Sequence, residues 1–395
     1  MNYLLRNRSG LCILIVVLLY VNIQTLYAQT TTLSQFDKQV ESIMQQWKAP
    51  GVIISIVKDG QILLVRGYGK TDVKGGNDVT PSTMTSVASV TKTFNSVAFG
   101  MLADDSVITW DDPVLKHIPE FEFADPYRTE NTTIRDLITH RSGLPALLGG
   151  LWSMDYSIED VLLELPKAEP RIDFRQRVDY SQVGIALLGE IVARTTGMSW
   201  PDFVKNRILE PLKMESTYPG TDAFLLSYPD PNDTDNLMGR ALRNEGKIED
   251  GEWKGAGRIY TPAGGIVSTG EDMSKFMLFL LNGGIQGEQR LLSQDRIEET
   301  HTPQEVEGSP YGLVVNPFTS LVAYCLGWMA HEYEGYKIVE HPGSNFGSSV
   351  IALMPKDNIG VFISSNANYS LDSDRMVSAL KFAAFDFALG LEGRN

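Results

Sequence analysis

Residues 89–102 read SVTKTFNSVAFGML. Phe94, Val97, Ala98, Met101 and Leu102 recur at helical spacing, so the stretch predicts a buried helix with Ser89 in its first turn. Lys92 follows three positions later, which sets its side chain on the same face as Ser89. A serine hydroxyl is a weak nucleophile until a base takes its proton. A lysine supplies that base when burial or a nearby cation draws its pKa towards neutrality. The N-terminus of a helix also favours developing negative charge. Ser-x-x-Lys arises by chance in many chains, however, where the serine is a plain helix cap.

Outward from this segment the chain alternates strand and helix signals. Thr30 to Lys48 carries Leu33, Phe36, Val40, Ile43, Met44 and Trp47 at helical spacing and stops at Pro50-Gly51. Val52 to Val57, Lys58-Asp59-Gly60 and Gln61 to Arg66 then read as strand, hairpin turn and strand. From about residue 126 to 255 the pattern is helical or irregular, with helical runs at Ile134–Ile138, Ile158–Leu165 and Val183–Ala193. Strand signals return at Lys337–His341, Ser348–Met354 and Ile359–Ser364, and a last helix covers Asp372–Leu389. The expected fold class is therefore α/β in the broad α+β sense. A sheet flanked by helices, from about 29–125 and 256–395, is split by an inserted, mostly helical lobe at about 126–255. A cleft between two such lobes is a common place for a site.

The chain has 395 residues, 43% hydrophobic and 21% charged, which is globular composition long enough for one large domain or two lobes. A formal charge of -15 repels phosphate backbones, so no nucleic-acid partner is expected. Arg6 and Arg8 precede an apolar run from Leu11 to Val21, and Ala28 follows Leu26 and Tyr27 at a plausible cleavage point. Residues 1–28 are thus expected to be an export signal, with a secreted or extracytoplasmic product. An uncleaved anchor over 11–26 is the alternative, and only then would a membrane be a partner. Cys12 would leave with the signal, so Cys325 has no intramolecular disulfide partner. Asn131, Asn232 and Asn368 begin glycosylation sequons, which matter only in a host that modifies exported proteins.

Two further motifs bear on chemistry. Tyr180-Ser181-Gln182 stands just before the helical run Val183–Ala193. A tyrosine there can share a proton with Lys92, because a close ammonium stabilises the phenolate. His341-Pro342-Gly343 leads a strand-like segment with Ser344 and Gly347. Glycine lets a substrate lie against a strand edge, and an N–H just after Gly343 can join that of Ser89 as an oxyanion hole. Taken singly, each also fits a plainer role: a core tyrosine, a turn before a strand. The five histidines (His117, His140, His301, His331, His341) show no metal-ligand spacing, so neither a metal nor another cofactor is expected. Gly69-Lys70-Thr71 lacks the first glycine of a phosphate loop, and no Gly-x-Ser-x-Gly elbow is present.

The ordered set Ser-x-x-Lys, Tyr-x-Gln, His-Pro-Gly resembles the serine β-lactamase-related family of class C β-lactamases, penicillin-binding proteins, D-aminopeptidases and related esterases. The resemblance runs from about residue 35 to 385. It takes in Gly67-Tyr68-Gly69, Trp110-Asp111-Asp112-Pro113, Leu137 to Pro145, Pro211-Leu212-Lys213-Met214, Pro262-Ala263-Gly264-Gly265 and Leu326-Gly327-Trp328. It implies a β-lactamase/DD-peptidase-like fold with an antiparallel sheet. It implies Ser89 as acylated nucleophile, Lys92 as base and Tyr180 as proton shuttle. Gln182, His341, Gly343 and Ser344 would line the substrate and oxyanion positions, with the N–H of Ser344 as second oxyanion donor. The substrate would be a small ester, amide or peptide.

Two positions depart from that family's pattern. Gln182 stands where asparagine is usual, one methylene longer, and His341 stands where lactamases carry lysine. Histidine at that position resembles the esterase and peptidase branches of the family. A histidine is readily neutral at pH 7 whereas lysine is a fixed cation, which weakens a β-lactam carboxylate as the natural anchor, so antibiotic hydrolysis is not the first expectation. The family's Pro-Gly upstream of the tyrosine is replaced by Phe174-Arg175-Gln176-Arg177. A non-catalytic binding relative and an acyltransferase using the same acyl-enzyme are the competing readings. His140, inside a Thr-His-Arg-Ser-Gly landmark, is read as structural, with a triad histidine as the alternative.

Overall fold

The structure is a computed structural model, and it describes residues 31–71, 76–146, 157–220, 242–243, 259–307, 322–344, 347–367 and 371–391. The export segment, the Asn232 and Asn368 sequons and the expected lobe end at 255 lie outside the described residues.

The hairpin expected around Asp59-Gly60 forms between strands β1 (Gly51–Lys58) and β2 (Gln61–Gly69). Asp59 and Gly60 have φ values of 49° and 77°, the paired left-handed geometry of a tight two-residue turn. Three short strands follow: β3 (Met84–Ser86), β4 (Tyr218–Pro219) and β5 (Leu242–Arg243). With β6 (Ile266–Ser268) they form a small sheet ordered β4-β6-β3-β5. β7 (Ile285–Gln286) and β8 (Gln289–Arg290) make a separate ribbon. The remaining strands are β9 (Glu305–Glu307), β10 (Val322–Tyr324), β11 (Met329–Tyr333), β12 (Tyr336–Ser344), β13 (Ser348–Met354) and β14 (Ile359–Ser365). They complete an antiparallel eight-stranded sheet ordered β2-β1-β14-β13-β12-β11-β10-β9. Strands from the two ends of the chain therefore lie side by side, and the long middle segment is inserted between them.

The central strands β1, β13 and β14 are buried along almost their whole length, which explains their unbroken apolar runs. Both faces of the sheet are covered. On one face Val52, Ile54 and Ile56 meet Phe36, Val40 and Met44 of the helix Leu33–Trp47, and Met376, Leu380 and Phe385 of the helix Leu371–Leu389. The first of these helices starts on a Thr32–Gln35 capping box and ends with Lys48 in the left-handed region. On the other face Val339, Ile351, Leu353 and Phe362 join a core with Phe94 of the helix Thr91–Asp104 and Phe276 and Met277 of the helix Gly270–Leu281. Stacked rings of Phe94 and Phe276, 4.1 Å apart, tie those two helices together.

Helices in the inserted segment include Ile134–Ile138, Ile158–Glu164 and Gln182–Thr196. The same large core holds them through Leu137, Val161, Ile185, Leu188 and Ile191. Cys325 is buried as a free thiol, and burial pushes its pKa up to about 12. No helix among the described residues is long and apolar enough to cross a membrane.

Candidate active site

Ser89 is one step outside the α-helix in which the spacing placed it. It occupies the 3-10 turn Ala88–Val90, and the α-helix starts at Thr91. The cause is the residue before it. Ala88 has φ 48°, a left-handed conformation that costs a non-glycine residue about 1–3 kcal/mol and that packing must hold. Its neighbours supply the hold: Val87 N–H donates to Ile266 O at 3.0 Å, and Ala88 N–H donates to Ser86 Oγ at 3.3 Å. Thr91 Oγ1 accepts from Ile266 N–H at 3.2 Å. The turn leaves the Ser89 side chain half-buried while Lys92 is wholly enclosed.

Lys92 Nζ lies 3.3 Å from Ser89 Oγ and donates to Ala263 O at 2.6 Å. Desolvation by burial drives its pKa well below the ordinary lysine value. A neutral amine can donate one N–H to Ala263 and still turn its lone pair to the serine hydroxyl. Ala263 belongs to the Pro262-Ala263-Gly264-Gly265 landmark, which forms the short helix Thr261–Gly264, and its carbonyl orients the candidate base. Asn95 Nδ2 donates to the adjacent Pro262 O at 2.7 Å and Asn95 Oδ1 accepts from Trp200 Nε1 at the same distance, which fixes that short helix against the Lys92 helix.

Tyr180 comes to the same place. The Lys92 Nζ is 4.7 Å from the centroid of its ring. The sequence around it explains the placement. Asp179 N–H donates to His140 O at 2.8 Å, Ser181 N–H to His140 Nδ1 at 3.2 Å, and Gln182 N–H to Ala146 O at 2.9 Å. The 140–146 loop thus grips the backbone on both sides of Tyr180, while Ser181 caps the following helix by accepting from Gly184 N–H at 3.1 Å. His140 itself has φ 59°, and its ring lies 4.3 Å from that of Tyr180. Upstream, where Pro-Gly is missing, Arg175 adopts φ 59° and its guanidinium binds Asp136 at 2.7 and 2.8 Å. Gln182 stands at the first turn of the helix, and its Oε1 is buried without a hydrogen-bond partner among the described residues.

The third motif faces Ser89 through its strand edge. β11 pairs with β12 only as far as Met329↔Glu340, so His341–Ser344 keep β13 as ladder partner and turn their other edge to the Ser89 turn. Gly343 is pressed against that turn: a Cβ there would sit 2.3 Å from Val87 O and 3.1 Å from Ser89 N. Ser349 Oγ donates to Val87 O at 2.8 Å and closes the junction. Ser344 Oγ donates to Asp374 Oδ1 at 2.9 Å, which leaves its role at the site to its backbone. Gly343→Ala is therefore expected to push β12 away from Ser89 and slow acylation by ~10–100-fold, since a displacement near 1 Å suffices for such a loss. Burst kinetics with an activated ester would check this; an unchanged burst would show that the contact is dispensable.

His341 is buried and turned inward. Nε2 is 3.1 Å from Tyr324 Oη and Nδ1 is 2.6 Å from Pro342 O, so both ring nitrogens are occupied within the protein. Burial, helped by Lys92, lowers its pKa to about 3. His140 is likewise held neutral, by burial first and then by Lys92 and His341. Tyr324 is a site-wall residue that sequence reading missed, since nothing in the spacing of Val322-Ala323-Tyr324 marks it; His140, read from sequence as structural, stands beside it. No group of acidic, histidine and cysteine side chains among the described residues has the makings of a metal site.

Ser89, Lys92, Tyr180 and the Gly343 edge thus converge in one place. The Beta-lactamase family model matches residues 36–384. The unguisins hydrolase ungD of Aspergillus violaceofuscus (strain CBS 115571) is 27% identical over 390 residues, covering 91% of this chain and 65% of that protein. The protein flp of Staphylococcus aureus (strain N315) is 28% identical over 345 residues, covering 85% of this chain and 63% of its own length. The chain thus spans a little under two thirds of these curated relatives. Among solved structures, the octameric penicillin-binding protein homologue from Pyrococcus abyssi superposes with a TM-score of 0.67 at 25% identity, covering 91% of this chain and 78% of that one. A class C beta lactamase from Rhodobacter sphaeroides gives 0.67 at 20% identity, covering 90% and 99%, a likeness of fold. With 36–384 matched and that architecture shared, the chain belongs to the Beta-lactamase family and has its serine-hydrolase fold.

Proposed function

We propose that the protein hydrolyses a small ester or amide through an acyl-enzyme on Ser89. The observation that carries this reading is the enclosed Lys92 amine, 3.3 Å from Ser89 Oγ and held by Ala263 O, with burial driving its pKa well below the ordinary lysine value. Ser89 Oγ adds to the substrate carbonyl and its proton passes to Lys92 Nζ. The N–H groups of Ser89 and Ser344 steady the oxyanion. Collapse of the tetrahedral intermediate breaks the bond to the leaving group, which receives the proton by way of Lys92 and Tyr180. Water then adds to the acyl-enzyme, gives up a proton to the same pair, and releases the acid and free Ser89.

The substrate side of the reading follows from charge. His341 has no free N–H to offer and Lys92 is enclosed, so the strand edge holds no fixed cation for a substrate carboxylate. That supports an uncharged acyl group, in a carboxylesterase or D-amino-acid peptidase, over a β-lactam anchored by its acid. The apolar run at Leu11–Val21 behind Arg6 and Arg8 supports action outside the cytoplasm.

Intact-mass measurement after treatment with a fluorophosphonate tests the nucleophile. One adduct is expected on the wild type and none on Ser89→Ala; no wild-type adduct, or equal adducts on both, overturns the reading. A panel of p-nitrophenyl esters, D-amino-acid amides and a chromogenic cephalosporin tests the substrate class, with the cephalosporin expected to be turned over most slowly.

A further inference from the structure

The two site histidines are joined through one hydroxyl. Tyr324 Oη, at the end of β10, lies 3.1 Å from His140 Nε2 and 3.1 Å from His341 Nε2. Its ring stands edge-on to both imidazoles, with centroids 5.1 and 6.2 Å away. All three side chains are buried.

The direction of every proton in this chain is fixed from its two ends. At one end Ser181 N–H can only donate, so His140 Nδ1 must be an acceptor and the ring proton sits on Nε2. His140 Nε2–H then donates to Tyr324 Oη. At the other end Pro342 O can only accept, so His341 carries its proton on Nδ1 and leaves Nε2 as an acceptor. Tyr324 O–H supplies that acceptor. The two ends are set independently, and they demand the same order. Protonating either ring puts two donors face to face, at Ser181 N–H or at Tyr324 O–H. A lysine at 341 would have donors only and nothing to receive the phenol proton.

The ends of the chain are informative. Ser181 is the neighbour of Tyr180, on the helical side of the cleft. Pro342 is the neighbour of Gly343, on the sheet side. On the serine-hydrolase reading given above, we propose that Tyr324 is a positioning residue. Its hydroxyl locks the Tyr180 segment to the β12 edge, so that the proton shuttle and the oxyanion donor stay in register across Ser89. Tyr324 touches no reacting atom; it acts through His140 and His341.

Tyr324→Phe keeps the ring and removes the hydroxyl. The expected result with an activated ester is kcat lower by ~10–100-fold with KM changed less than about threefold, because misplacement of catalytic groups weakens the chemical step more than binding. The acid limb of the pH–rate profile should also move up, since His341 Nε2 loses its donor and becomes free to take a proton. Lys92, His140 and Tyr180 are the titrating groups that face these rings, whereas Glu340 lies on the far face of β12 against Lys381, so Glu340→Gln should leave that limb's response to Tyr324→Phe intact.

A second measurement does not depend on activity. Nitrogen-15 NMR of the wild-type imidazoles should report His140 protonated on Nε2 and His341 on Nδ1. The opposite tautomer in either ring overturns the proposal, as does Tyr324→Phe with unchanged kcat and pH profile, or a loss that merely tracks the unfolded fraction. If the wild type takes no fluorophosphonate at Ser89, the hydrolase reading falls, and the positioning role falls with it even where the tautomers match.

Discussion

Replacing Lys92 with methionine is expected to slow acylation of Ser89 by ~10²–10⁴-fold, the usual contribution of a positioned general base. The same substitution should leave the melting temperature at or above that of the wild type. Both expectations come from one fact. Lys92 is fully buried, and its pKa is driven well below the ordinary value by desolvation alone. Enclosing an amine in this way costs stability that methionine, similar in length and apolar, does not cost. The amine's compensation is one bond to Ala263 O, with Ser89 Oγ at 3.3 Å. A site that costs stability and gives turnover is the ordinary trade of a catalytic group. Presteady-state kinetics with an activated ester, beside thermal unfolding of both proteins, checks the pair of outcomes. Equal acylation rates in a folded variant would remove Lys92 from the mechanism and leave Ser89 without a base.

The second large effect lies one residue from His341, on the opposite face of the sheet. Glu340 Oε2 lies 2.5 Å from Lys381 Nζ of the C-terminal helix, and both side chains are 2% exposed. His331 Nε2 of β11 stands 3.3 Å from the same oxygen. Lys381→Met is expected to destabilise the fold by about 3–5 kcal/mol at pH 7, because it leaves a buried carboxylate with its main counter-charge gone. Removing both charges, in Glu340→Leu with Lys381→Met, should restore most of that loss. Urea unfolding of the three proteins would decide: a single variant within about 1 kcal/mol of wild type would mean that water or His331 already satisfies Glu340.

The pH dependence has a definite sign. Burial alone would raise the Glu340 carboxyl, but Lys381 and His331 outweigh it and hold it at about 2, against an ordinary 4.5. A carboxyl lowered on folding stabilises the native state above its unfolded pKa, and that contribution fades as pH falls from 4.5 towards 2. The wild type should lose stability across this window from this pair. Lys381→Met should show the loss diminished or reversed, since its carboxyl, stripped of the ammonium, gains from taking up a proton.

Much of the fold was legible in the chain because the signals were local. Asp59-Gly60 needs no partner beyond its own hairpin to specify the turn. The apolar runs of β13 and β14 and the helical spacing of residues 134–138 and 183–193 register burial directly. The displacement of Ser89 into a 3-10 turn was not legible, because the left-handed Ala88 is set by Ile266 and Ser86 holding its neighbours and not by any preference of alanine. The site was legible only in part. Ser-x-x-Lys names a nucleophile and a base, yet the carbonyl that orients the base comes from Ala263, 171 residues away.

His341 shows the division most clearly. Its identity alone told that no fixed cation stands at the strand edge, since an imidazole is neutral at little cost. That its two nitrogens are committed to Tyr324 and Pro342 required the packed structure. Periodicity and motif state which faces are buried and which residues can do chemistry. They do not state which group across the core each buried atom meets. The His140–Tyr324 contact spans 184 residues of sequence, and only the closing of the sheet against the helical segment brings its ends together.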